Sequence, residues 1–131
     1  MLRAGFRDPD EFRRLTYIAA LMRCFPGRNN SDTGDRPPPP RGIANCAHWL
    51  DTELTLLHPK VMILVGQMAI SRFLGPAPLE ERVGQAFGKR PVMIPLPHPS
   101  GQSRWLNAPA NRERLATALA LIAEQRSKFA P

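Results

Sequence analysis

The sequence has 131 residues, is 43% hydrophobic, and carries 18 basic against 11 acidic residues, which gives a formal net charge of +7. This composition excludes a disordered chain, and no apolar run has the ~20 residues of a membrane-spanning helix, so we expect a single-domain cytoplasmic protein without a membrane partner. The basic residues are mostly arginine, which favours a polyanionic partner, although a G+C-rich genome produces the same bias.

The first half of the chain predicts two helices, a strand and a long loop. Asp8 is a suitable N-cap for a short helix over residues 8–15. The continuous apolar run 16–22 predicts a buried strand. The segment 25–42 contains four consecutive prolines and predicts a stiff surface loop within the domain. Apolar residues at helical spacing predict a second helix over 42–58.

The second half of the chain alternates apolar strands with helices. The predicted elements are a strand over 60–66, a helix over 67–74, a short helix around 79–87, a strand over 91–96 and a helix over 108–128. Asn107 is expected to cap the last helix, and Gln67 to cap the helix that it opens.

This order predicts an α/β protein, a three-layer α/β/α fold with a small, mostly parallel sheet. Three strands make a narrow sheet, so we expect that the first strand of the domain lies upstream of this sequence. The segments RCFPGRN, GQMA and HPSGQSRW follow the three predicted strands. Ligands of parallel sheets bind outside the carboxyl ends of the strands, so a site is expected where these segments meet.

These segments resemble the uracil-DNA glycosylase superfamily, in particular its iron–sulfur bacterial and archaeal branches. YIAALMRCFPG followed by IANCAHWLDTELTLLHPKVMILVG resembles a strand with a cysteine after it, then a second cysteine opening a helix that leads into the next strand. MAISRFLG resembles the following helix, and LPHPSG resembles the His-Pro-Ser active-site motif after the last strand. The resemblance covers residues 12–125.

The resemblance implies hydrolysis of the N-glycosidic bond of uracil, or of a related deaminated base, flipped out of DNA. It implies that His98 is catalytic and stabilises the negative charge that grows on the departing base. Pro99 and Ser100 would hold a phosphate, and Gly101 would let the backbone approach DNA. The other expected DNA contacts are Arg104 to a phosphate and, as a wedge into the gap left by the base, Trp105 or Leu106.

The resemblance also implies part of a metal site. Cys24 and Cys46 match the later pair of four cysteines that hold a [4Fe–4S] cluster in these branches, and the earlier pair lies upstream in the family. Two thiolates alone do not hold a stable cluster. Without the resemblance, Cys46 is equally well explained as a small core residue.

Two departures from the family keep a second function open. The glycine-rich first motif, which positions the attacking water, is not in this sequence, and Ala19 and Ala20 stand where some branches carry an asparagine that reads the uracil edge. A missing hydrogen bond to the base relaxes selectivity. We expect a DNA-repair glycosylase, active when the first motif is supplied. The alternative is a non-catalytic nucleic-acid-binding remnant of the same fold.

Overall fold

Two parallel strands form the sheet in the part of the chain that the computed structural model describes, residues 4–20, 40–98 and 104–129. Strands β1 (Val61–Val65) and β2 (Val92–Leu96) pair with Val61 opposite Val92. Their apolar residues are continuous rather than alternating, as expected for strands that are buried in a parallel sheet. The α/β prediction is therefore confirmed.

Five α-helices precede, separate or follow these strands along the described chain. They are α1 (Pro9–Leu15), α2 (Pro40–Leu57), α3 (Gln67–Leu74), α4 (Leu79–Arg82) and α5 (Pro109–Phe129). Helix α3 contacts β1, and α5 contacts β2. No helix in the described ranges is long and apolar enough to cross a membrane.

The chain divides into two compact units. The first, which we call the sheet unit, consists of Met1–Thr16 and Pro59–Pro131, and the second, the α2 unit, is Tyr17–His58. The hydrophobic core of the sheet unit is made by the buried residues Ala4, Phe6, Val83, Ile94, Ala118 and Ile122. The core therefore joins the start of the chain, strand β2 and helix α5.

A buried carboxylate fastens the first helix to the last. Asp8 caps α1 as predicted, by accepting a hydrogen bond from the backbone N–H of Glu11 at 2.8 Å. The Glu11 carboxylate accepts hydrogen bonds from the backbone N–H of Arg7 at 2.7 Å and from Nη2 of Arg126 in α5 at 2.8 Å. The Arg7 N–H and, against the opposing effect of burial, the Arg126 guanidinium lower the pKa of Glu11 to about 2.

Few residues of helix α2 are buried. Cys46 and Leu50 are its buried helical residues, whereas Trp49 and Leu56 are exposed. His58 follows the last turn in a left-handed conformation, with φ of 44°, and its N–H donates to the carbonyl of Leu54 at 3.0 Å. This conformation ends the helix in the way that glycine more commonly does.

The strand predicted over 16–22 is wrong for its described part. Residues 16–20 form neither helix nor strand, and Tyr17 and Ile18 are exposed. An apolar run becomes a strand only where a neighbouring strand accepts its hydrogen bonds, and the described sheet pairs β1 with β2 alone. Residues 21 and 22 lie outside the described residues.

Three boundaries also differ from the predictions. Helix α2 begins at Pro40, so the end of the predicted loop 25–42 is helical, because proline suits the first helical turn. Helix α4 ends at Arg82 rather than near Phe87, which instead bridges Met93. Asn107 ends a short 3₁₀ turn and does not cap α5, whose first residue is Pro109.

Candidate active site

The carboxyl end of β2 leads directly to an exposed histidine. Leu96 ends the strand, Pro97 is buried, and His98 follows as an exposed residue. The imidazole therefore lies two residues beyond the end of β2. Such a placement suits a group that must meet a ligand at the edge of the sheet.

The carboxyl end of β1 meets the same histidine. Gly66 follows β1 directly, and its N–H donates to the carbonyl of Leu96 at 2.9 Å. A Cβ atom built on Gly66 would lie 3.4 Å from Cδ2 of His98, so the ring lies against the glycine backbone. The structure thus brings the ends of two parallel strands together around His98. The sequence analysis had not singled out Gly66, although a glycine directly after a buried strand is a signal of close backbone approach.

Gln67 supports this edge, but not by capping. Gly66 occupies the N-cap position of α3, and Gln67 is the first helical residue. The side-chain amide of Gln67 donates to the carbonyl of Ala77 at 2.8 Å and to the hydroxyl of Ser71 at 3.3 Å. It therefore ties the start of α3 to the loop after that helix, and the capping prediction is wrong.

The predicted DNA-contacting residues fall partly within the described chain. Pro99, Ser100 and Gly101 lie outside the described residues. Arg104 is exposed directly before the 3₁₀ turn Trp105–Asn107, and Leu106 is half-buried within it.

Trp105 is held on two sides. Its indole N–H donates to Oε1 of Glu80 in α4 at 3.0 Å, and its ring packs against the hydrophobic core. Its carbonyl accepts a hydrogen bond from the Asn111 side-chain amide at 2.8 Å. Trp105 therefore anchors the 3₁₀ turn to the sheet unit.

Asn111 is a functional candidate that sequence reasoning missed. It is 7% exposed, on the buried side of α5, where an apolar residue is expected. Its amide oxygen accepts from Nη1 of Arg114 at 2.8 Å while its amide nitrogen holds Trp105. A buried polar residue in an otherwise apolar helix face was the available signal, because such a residue needs hydrogen-bond partners.

The described residues do not fit an iron–sulfur cluster. Cys46 is buried in α2, and Cys24 lies outside the described residues. Among the residues that the structure describes, no group of three or more His, Cys, Asp or Glu side chains could hold a metal ion. A [4Fe–4S] cluster needs four thiolates and the sequence contains two cysteines, so we derive no step through a cluster.

Comparisons with known proteins identify the superfamily of the chain. The family model described as "Uracil DNA glycosylase superfamily" matches residues 4–121. A Type-5 uracil-DNA glycosylase from Pyrobaculum aerophilum is 24% identical over 91 residues, which cover 67% of this chain. The match spans 37% of the length of that curated relative.

Proposed function

The chain belongs to the uracil-DNA glycosylase superfamily, and on this basis we propose that it acts in DNA repair by hydrolysing the N-glycosidic bond of uracil or a related deaminated base. The observation that carries the proposal is the exposed His98, held where the carboxyl ends of β1 and β2 meet. A flipped base can reach a side chain at this edge, whereas it cannot reach one within the sheet.

His98 supplies the electrostatic part of the proposed reaction. As the glycosidic bond lengthens, positive charge grows on the sugar and negative charge grows on the departing base. A donor fixed beside that base stabilises the transition state more than the ground state, because the charge develops only during bond breaking. His98 follows the end of β2 by two residues and its ring lies against Gly66, an arrangement that would limit reorganisation during the reaction.

The residues after His98 are proposed to hold the DNA. Arg104 is exposed and suits a phosphate contact. Of the two wedge candidates, Leu106 is favoured, because Trp105 is engaged by Glu80 and the core. We assign phosphate contacts to Pro99 and Ser100, and close backbone approach to Gly101, from the family resemblance alone.

The range of bases is proposed to extend beyond uracil. Ala19 and Ala20 are exposed and have no side-chain polar group with which to read a base edge. Comparison of oligonucleotides that contain uracil with matched ones that contain hypoxanthine tests this range. Release of uracil with no release of hypoxanthine would contradict this proposed range of bases.

Replacing the histidine tests the activity itself. We expect His98→Ala to lower the rate of abasic-site formation on a uracil oligonucleotide by roughly 100- to 1,000-fold, the usual cost of removing one charge-stabilising donor. His48→Ala is the matched control, because His48 is an exposed histidine on α2 that contacts Trp49. Equal rates for the native chain and His98→Ala would reject the catalytic role of His98.

A non-catalytic DNA-binding protein is the second candidate. It is kept because this sequence contains no residue that we assign to positioning the attacking water. Salt-dependent binding to DNA with no abasic product, in the native chain, would support this candidate over the glycosylase. In that case, His98→Ala should leave DNA affinity nearly unchanged, whereas Arg104→Ala should weaken it and reduce its salt dependence.

A further inference from the structure

The His98 ring rests on a residue that has no side chain. A Cβ atom built on Gly66 would lie 3.4 Å from Cδ2, 3.6 Å from Cβ and 3.9 Å from Cγ of His98. Carbon atoms in optimal contact are about 3.5–4.0 Å apart, so even a methyl group there would lie in van der Waals contact with the ring, and a larger side chain would displace it. The bare Cα of Gly66 therefore allows the imidazole to lie directly against the end of β1.

The backbone of Gly66 is fixed in a conformation that favours glycine. Its φ is 90° and its ψ is 159°, a region that residues with a side chain rarely occupy. The Gly66 N–H bonds to the carbonyl of Leu96, two residues before His98. A change in the Gly66 backbone would therefore move the segment that carries the histidine. The contact and the hydrogen bond both couple Gly66 to His98.

We propose that Gly66 is a positioning residue that sets the orientation of the His98 imidazole for base release. The proposal rests on the proposed function. Gly66 contributes no reacting group. It acts through the histidine, because its backbone lies against the ring in a conformation that favours glycine and is hydrogen-bonded to the end of β2.

A second glycine at the other end of α3 provides a matched control. Gly75 has φ of 84° and ψ of 164°, nearly the same backbone as Gly66, but nothing lies within 4 Å of a Cβ atom built on it. Gly66→Ala and Gly75→Ala therefore introduce similar backbone strain, and only the first adds a methyl group beside His98. The difference between the two variants isolates the effect on the histidine.

We expect Gly66→Ala to lower kcat for uracil release roughly 10- to 100-fold relative to Gly75→Ala, because relief of the backbone strain at residue 66 would shift the hydrogen-bonded segment that carries His98, and a displacement of about 1 Å is costly in a catalytic site. KM should stay within about twofold, because the histidine acts on the transition state. Equal kcat values for the two folded variants would overturn the proposal.

A measurement that needs no activity tests the same contact. In the NMR spectrum of the native chain, we expect a nuclear Overhauser effect between an α proton of Gly66 and the ring Hδ2 of His98. The His98 ring resonances should shift in Gly66→Ala and stay in place in Gly75→Ala. Absence of the cross-peak in the native chain would overturn the proposal even if Gly66→Ala does not fold.

The proposed catalytic role of His98 and the proposed positioning role of Gly66 would be rejected by different results. If His98→Ala leaves excision intact, the catalytic assignment of His98 fails and the cross-peak still reports the contact. If His98→Ala abolishes excision and Gly66→Ala behaves as Gly75→Ala does, the glycosylase proposal stands and the positioning role of Gly66 is rejected.

Discussion

The sheet unit and the α2 unit use apolar residues in different ways. In the sheet unit, Ile94 is fully buried between a parallel neighbour strand and the core of α5. In the α2 unit, Leu56 is 76% exposed although it belongs to a helix that carries four leucines. Apolar content therefore does not decide burial. An element is buried where several other elements pack against it, as β1 and α5 do against β2.

Truncation of one core residue in each unit gives the largest expected effect on stability. Ile94→Ala should cost about 2–5 kcal/mol of unfolding free energy, because it leaves a cavity in a closed core. Leu50→Ala should cost about 1–2 kcal/mol less, because half-exposed neighbours on α2 can move into the space.

The two tryptophans allow the units to be followed separately. Trp49 lies in the α2 unit and Trp105 in the sheet unit. Urea unfolding by fluorescence should be measured for Ile94→Ala in a Trp49→Phe background, and for Leu50→Ala in a Trp105→Phe background. Equal losses of unfolding free energy in the two backgrounds would contradict the expected difference between the units.

A charge change in the sheet unit should make its stability depend on pH. The pKa of Glu11 falls from its ordinary 4.5 to about 2 in the folded chain, chiefly through the Arg7 N–H and with help from Arg126. A carboxylate with a lowered folded pKa stabilises the fold above its unfolded pKa and loses that contribution as pH falls. Tm should therefore decline between about pH 5 and pH 2.

Glu11→Gln should abolish much of that decline. We expect a lower Tm than native at pH 7, because the Arg126 guanidinium loses its buried anion, and a difference that shrinks toward pH 2. Glu124→Gln is the control, since Glu124 is an exposed carboxylate paired with Lys128 on the same unit. A native Tm that is flat between pH 5 and pH 3 would contradict the role of Glu11.

Sequence alone predicted the elements whose signals are local. The Asp8 cap, a strand within 60–66 and a helix over 67–74 each follow from a few neighbouring residues, and the structure has all three. The strand predicted over 16–22 failed for its described residues, because burial of a strand depends on a distant partner. Local patterns do not specify such a partner.

The candidate site, like the fold, could be predicted only in part from the sequence. His98 could be placed at the edge of the sheet, because it follows an apolar strand with a recognisable motif. The meeting of GQMA and HPSGQSRW at this edge was also predicted, but the specific contact of the His98 ring with Gly66 was not, because it depends on the register of two strands about 30 positions apart. Asn111 was missed for a different reason: its partners Trp105 and Arg114 are close in sequence, but the sequence pattern does not show that the 3₁₀ turn packs against α5.

Loss of the Asn111 amide should have a smaller effect than loss of the core. Asn111→Ala removes the donor to the Trp105 carbonyl and should cost about 1–2 kcal/mol, the usual cost of an unsatisfied buried group. Asn107→Ala is the control and should change stability by less than about 0.5 kcal/mol, because Asn107 is exposed and does not cap α5. Equal costs would restore a capping role for Asn107.

The smallest expected effect is a gain in the α2 unit. The left-handed backbone of His58 is strained by its Cβ atom, and glycine adopts this conformation without that strain. His58→Gly should therefore raise the unfolding free energy by up to about 1 kcal/mol. Glycine's greater freedom in the unfolded chain offsets part of this gain. Trp49 fluorescence in the Trp105→Phe background measures it. A loss instead would show that the His58 side chain holds the end of α2, and that this unit, like the sheet unit, depends on a specific contact.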